Sequence, residues 1–245
     1  MGAVTVITSG KGGVGKSTVT AGLGGALARR GKRVLLMDME TGLRGLERMM
    51  GADELLVFDT SDIVFGNCEP LRAVYPCPPV PGLFLLPAPS SMEDALSEET
   101  MRRLISTISP YFDHILIDSP AGVGADFHVA ACAAQSAMVV VNPDPVGLRC
   151  GSTVNRLLGE LGVENRRLVI NRFSPEAFLN AGYYRDLDDV IDAAGIRLIA
   201  VIPEDQNLSR AAADGRPCLP GLPGTMAFDR MAARMDGESI PVMID

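Results

Sequence analysis

Residues Gly10 to Thr18, read as Gly10-Lys11-Gly12-Gly13-Val14-Gly15-Lys16-Ser17-Thr18, concentrate the chemistry of this chain. Gly10 to Ser17 fit the spacing G-x-x-x-x-G-K-[ST], a phosphate-binding loop. The glycines permit positive φ and let backbone N–H groups approach an anion closely. With a helix starting behind them, those donors form a phosphate cradle. Lys16 is placed to neutralise β- and γ-phosphates, and the Ser17 hydroxyl to complete a Mg²⁺ shell. The chain has only three lysines, Lys11, Lys16 and Lys32, against 19 arginines. Two of the three stand in this one loop, where a compact ammonium on a flexible stem is wanted and a guanidinium is not.

Carboxylates elsewhere can complete such a site. Asp118 ends the run HILID and Asp38 ends RVLLMD. A strand-terminal Asp taken alone reads as a helix N-cap. Beside a phosphate loop, both read as metal-shell carboxylates. Glu40 follows Asp38 by two residues and is either positioned near a γ-phosphate to orient water or a solvated loop acid.

The elements that must hold these residues follow from hydrophobic patterning. Val4–Thr8 is a short β-branched run leading into the loop, and the Ala/Leu/Gly-rich stretch after it has helical composition up to Arg30 and Gly31. Apolar runs recur at 33–38, 83–86, 115–118, 137–141, 168–171 and 198–202. Helix-compatible segments lie between them, at 97–109, 146–161, 187–194 and 207–214. Continuous apolar strands alternating with helices predict an α/β fold: three layers, with a mostly parallel central sheet flanked by helices. Ligands in such folds sit beyond the carboxyl ends of the strands. No repeat or low-complexity linker interrupts the chain, and the Pro-rich patch 76–81 reads as a surface loop, so residues 1–245 are expected to form one domain.

Composition removes several classes. Hydrophobic residues make up 47% and charged residues 21%, as in a globular protein. No apolar stretch of about 18 residues predicts a membrane span, and the first residues lack the n- and h-regions of a secretory signal. The expected location is cytoplasmic, with any approach to a membrane made peripherally through a partner. A net charge of −8 and a pI near 4.9 argue against a nucleic-acid partner. Five scattered cysteines without a C-x-x-C pair read as reduced thiols.

Taken together, the loop and its surroundings resemble the deviant Walker A P-loop ATPases, whose mark is the extra lysine at the position of Lys11. Within that family the chain is most similar to the MinD group. The resemblance rests on TSGKGGVGKST, on Gly42-Leu43-Arg44-Gly45-Leu46-Glu47, on Asp118-Ser119-Pro120-Ala121-Gly122 and on Val201-Ile202-Pro203-Glu204-Asp205-Gln206. It implies an ATPase and a molecular switch for placing the division septum or a cargo. ATP would close two subunits into a homodimer, Lys11 of each reaching the phosphates of the other, and hydrolysis to ADP would separate them. The resemblance carries phosphate binding to Lys16 and the loop amides and assigns Thr18 to the α-phosphate. It gives Mg²⁺ to Ser17, Asp38 and Asp118. Adenine is assigned to Asn171, Arg172 and the Pro203-Glu204-Asp205 turn, although Asn171 by itself also reads as a strand-end turn residue.

Three departures from the family pattern modify these expectations. Glu40 stands where the family usually has Asp, and a carboxylate displaced by a methylene predicts slow or altered hydrolysis. The C-terminal stretch TMAFDRMAARMDGESIPVMID has apolar residues at helical spacing, but its Asp229, Arg230, Arg234 and Asp236 sum to zero charge and the stretch has no lysine. A membrane-docking helix wants a cationic face, so this one is expected to pack in the core, with weak or no direct membrane binding. The NPDPVGLRCG stretch departs from the family after Arg149, losing acidic residues expected on the following helix, which the family uses toward partners, so the regulator or cargo protein is left unidentified. Rival readings are a nucleotide-binding scaffold with little turnover, a ParA-type partition ATPase and a metallocentre-maturation ATPase. The last would need cysteines at the dimer face, whereas Cys132 reads as a small core residue.

Overall fold

A computed structural model describes residues 2–41, 45–52, 56–78, 80–90, 96–216, 218 and 220–243. Within them eight strands form one sheet in the order β3-β4-β2-β5-β1-β6-β7-β8. The strands are β1 (Ala3–Thr8), β2 (Val34–Asp38), β3 (Tyr75–Pro76), β4 (Leu83–Leu86), β5 (His114–Asp118), β6 (Ser136–Val141), β7 (Asn165–Phe173) and β8 (Leu198–Pro203). Every pairing is parallel except β3 with β4 at the edge.

Helices cover both faces. On one lie α4 (Glu98–Ile108), α5 (Ala125–Ala131), α6 (Pro145–Glu160), α7 (Pro175–Ala181) and α8 (Leu187–Ala194). On the other lie α1 (Lys16–Arg29), α2 (Gly45–Met49), α9 (Gln206–Ala213) and α10 (Pro223–Met235). A short helix, α3 (Thr60–Val64), is capped by Asp59 and Asp62 in a reciprocal capping box. The strands read as unbroken apolar runs because alternate residues serve different cores. Leu35 and Met37 of β2 face α4, while Val34 and Leu36 face α1.

The C-terminal amphipathic stretch is a core helix, as its neutral polar face predicted. Phe228, Met231 and Ala232 of α10 are fully buried against α1 and β8. Among the described residues no helix is long and apolar enough to cross a membrane.

One expectation is corrected. The Pro-rich patch is not all surface loop, because Tyr75–Pro76 pairs with β4 and both Cys77 and Val80 are buried. Proline survives there because an edge strand can spare a donor. Pro79 lies outside the described residues, as do Gly42, Leu43 and Arg44 of the Gly42–Glu47 stretch that carries part of the family resemblance.

Candidate nucleotide-binding site

Strand order assembles the site. β5 lies between β1 and β2, and the register sets Asp38 beside Asp118 at the carboxyl ends of β2 and β5. The same β5 runs alongside β1, with Ile7 opposite Asp118, so the loop leaving β1 passes over both acids. Two carboxylates 80 residues apart in sequence (38 and 118) thus reach one place through sheet pairing alone.

The loop requires its glycines at definite points. Gly15 has φ +94°, and a Cβ there would stand 2.2 Å from Asn171 Nδ2. Gly10 packs so closely on α6 that a Cβ would come 2.8 Å from the Cβ of Cys150. Gly15 caps α1 without a side-chain hydrogen bond, so the first N–H groups of that helix stay available to an anion. Ser9 Oγ donates to Lys11 O at 2.7 Å, and Asn171 Nδ2 donates to Val14 O at 2.7 Å, holding the loop from two sides.

A cavity of about 340 Å³ opens over the loop, lined by Gly12, Gly13, Gly15, Lys16, Ser17 and Thr18 and faced by Asp38 and Glu40. Lys16 is 7% exposed at its base. Lys11 does not line it. Its side chain is 45% exposed, and its nearest acid is Asp144, at 3.9 Å. A neighbouring cavity of about 200 Å³ joins Thr18, Asn171 and Arg172 to Pro203, Glu204 and Asp205, bringing together the residues expected to hold adenine. Arg172 takes a left-handed backbone, φ 54°, and lines both cavities. The Asp205 carboxylate is already committed: it accepts from Asn207 N, Leu208 N and Gly224 N, capping α9 and tethering α10. It belongs to the wall as a cap, not as a free acid.

Electrostatics at the strand ends are strained. Asp38 and Asp118 are each 1% exposed. Burial pushes Asp118 up to about 6, against the opposing pull of Ser17, Lys16 and Thr20. Burial, with the acids Glu47 and Asp118 nearby, pushes Asp38 up to about 9, although the Glu40 N–H donates to it at 2.8 Å. Buried carboxylates in this state are short of positive charge. A divalent cation would supply it, so the donor set fits Mg²⁺, and the glycine cradle with Lys16 fits a phosphate chain.

Two residues of the site were missed from sequence. Thr20 Oγ1 lies 3.0 Å from Lys16 O and 3.3 Å from Asp118 Oδ1, linking α1 to β5. Its spacing of four from Lys16 on a helix was a usable signal. Glu47 on α2 is fully buried; one carboxylate oxygen accepts from Ala88 N at 2.8 Å, and the other has no donor. Its position beside Asp38 makes a hydrogen bond only when the pair holds a proton. Nothing local in sequence announces it.

Fold and site together define a P-loop nucleotide-binding protein. Residues 5–218 match the CobQ/CobB/MinD/ParA nucleotide-binding domain. The septum site-determining protein MinD of Synechocystis sp. is 36% identical, over 99% of this chain and 92% of that protein. The MinD of Bacillus subtilis is 34% identical over 100% and 92%. Among solved structures, MinD in the MinC:MinD cell division complex of Aquifex aeolicus superposes with TM-score 0.90, at 34% identity over 99% of both chains. MinD of Pyrococcus horikoshii, solved with Mg-ADP, gives 0.83 at 28% identity over 96% of both. The chain belongs to the MinD/ParA family of P-loop ATPases, on its MinD side.

Proposed function

We propose that this chain, acting as one domain over residues 1–245, is an ATP-dependent dimerising switch that helps place the division septum. The observation that carries this reading is the separation of the two loop lysines. Lys16 lies buried beneath the phosphate cavity, whereas Lys11 leaves that cavity and stands half-exposed with only a loose contact to Asp144. A lysine that does not serve its own phosphates is placed to serve those of a second copy.

Lys16 and the loop amides bind the phosphates, Thr18 contributes at the α-phosphate, and Asn171, Arg172 and the Pro203–Asp205 turn flank the base. Ser17, Asp38 and Asp118 would hold Mg²⁺, which neutralises phosphate charge when bound. Glu40, at the rim, positions the attacking water, and its extra methylene relative to Asp makes turnover slow. The MinC in the Aquifex complex supports a protein regulator as partner. The buried apolar face of α10 supports membrane approach through such a partner, not through that helix.

Light scattering with Mg-ATP and with Mg-ADP tests the switch. A monomer in ADP, a dimer in ATP and loss of the dimer in Lys11→Ala are expected. A dimer of unchanged mass in both nucleotides, or one indifferent to Lys11→Ala, would refute it.

A further inference from the structure

Far from the nucleotide cavities, a second polar hollow opens at the amino ends of the strands, on the face covered by α1 and α10. It has a volume of about 260 Å³. Ala3 and Thr5 of β1 line it, whereas the phosphate loop leaves the other end of that same strand. Its charged and polar wall is made by Arg167, Arg234, His114, Asn165 and Ser136. Among the described residues no carboxylate lines it.

That is an unusual local balance in a chain of net charge −8. Arg234 donates to the carbonyls of Ile199 at 2.7 Å and Ile240 at 2.8 Å and also to that of Pro241, which uses three of its N–H groups and leaves its charge without a counter-ion. Arg167 spends one nitrogen on the carbonyl of Arg166, at 3.0 Å. Among the described residues neither guanidinium has an ion-pair partner. His114 Nδ1 is buried with no hydrogen-bond partner. The nearby acids are engaged elsewhere: Asp236 bridges Arg30 at 2.7 Å and Lys32 at 3.7 Å, and Asp113 accepts from Arg33 N at 2.7 Å.

Half-buried cations without counter-charge, beside hydroxyl and amide donors, favour an oxyanion, and a guanidinium fork suits one geometrically. Met138, Met235 and Ile199 complete the wall and suit a short organic part. The geometry points to a second ligand site, one that takes a small oxyanion, phosphate or carboxylate, between the amino ends of β1, β6 and β7 and the C-terminal end of α10. It is independent of the nucleotide site.

The chain has two histidines, His114 in this hollow and His128 on α5, which gives a local probe with an internal control. Inorganic phosphate, and in a second series succinate, is titrated at fixed pH and ionic strength while both imidazoles are followed by NMR. His114 signals should shift saturably with at least one of the two anions, and His128 should not; the tighter anion identifies the ligand class. Arg167→Ala should weaken that binding about tenfold or more, with an unchanged His128 signal reporting an intact fold. Lys16→Ala, which empties the phosphate loop of its cation, should leave the His114 titration as it was. The site is refuted if His114 does not respond to either anion, if both histidines drift together without saturation, or if Arg167→Ala titrates like the parent protein.

Discussion

The buried acid pair at the end of β2 makes the nucleotide-free protein less stable as pH rises, and Asp38→Asn should reverse this. Asp38 is an acid whose folded pKa, about 9, lies above its ordinary 3.8. Between those values the folded state holds a proton that the unfolded chain has released. Unfolding therefore becomes easier as pH climbs, by about 1.4 kcal/mol per pH unit, and the effect levels off above the folded value. Asparagine carries no such cost, and its amide can donate to the unpartnered oxygen of Glu47. The stability difference, variant minus parent, should grow by roughly 3 kcal/mol between about pH 5.5 and about pH 8. The slope depends only on the folded value staying above the window, not on its exact size. Urea unfolding of both nucleotide-free proteins at several pH values measures it. If Asp38 holds Mg²⁺ as proposed, saturating Mg-ADP should invert the ranking, because only the parent then has a carboxylate there to pair with the cation. A difference that stays constant across the pH range would refute the reasoning, since Asp38 would then be ionised in the fold.

Four further outcomes follow from the same geometry. Exchanging Glu40 for Asp should raise steady-state phosphate release, by up to about 10²-fold if misplacement of the carboxylate limits the rate; unchanged kinetics would remove Glu40 from the mechanism. Gly15→Ala puts a methyl 2.2 Å from Asn171 Nδ2 on a backbone of φ +94°, so nucleotide binding measured by calorimetry should be lost while far-UV circular dichroism persists. Phe228→Ala should cost about 3–5 kcal/mol in urea unfolding, as for a fully buried aromatic side chain, and the parent protein should not float with anionic liposomes in Mg-ATP. Flotation of the protein alone would show that α10, or what adjoins it, reaches the bilayer.

The strands were legible because burial on both faces writes itself as unbroken apolar runs, and β4 at Leu83–Leu86 coincides with its run. The short helices were not. α5 (Ala125–Ala131) is seven residues long and runs on into the small apolar residues that precede β6, too short a helix to set a period of 3.6. α7 (Pro175–Ala181) did carry signals: Ser174 caps it by accepting from Ala177 N at 3.3 Å, Pro175 starts it, and Gly182 ends it with φ +63°. Those are punctuation marks without enough periodic text between them. The edge strand β3 has only two residues, one of them proline, and such pairing is a tertiary event.

The candidate site divides along the same physical line. The phosphate loop was readable because its function is performed by consecutive backbone groups, which demand consecutive residue types. Asp38 and Asp118 were readable because each ends an apolar run, and in a parallel sheet every strand end is a candidate position. Glu47 was not, because its role is defined by what lies beneath it in space. Its backbone belongs to α2, its first oxygen is held by Ala88 just beyond β4, and its second is aimed at β2. Three segments must fold before that carboxyl has a partner. The two lysines show the converse: Lys11 and Lys16 are five positions apart in one loop, yet the fold buries one and leaves the other half-exposed. Sequence announces that both ammonium groups are wanted; only the folded loop separates them, Lys16 beneath the cavity and Lys11 outside it.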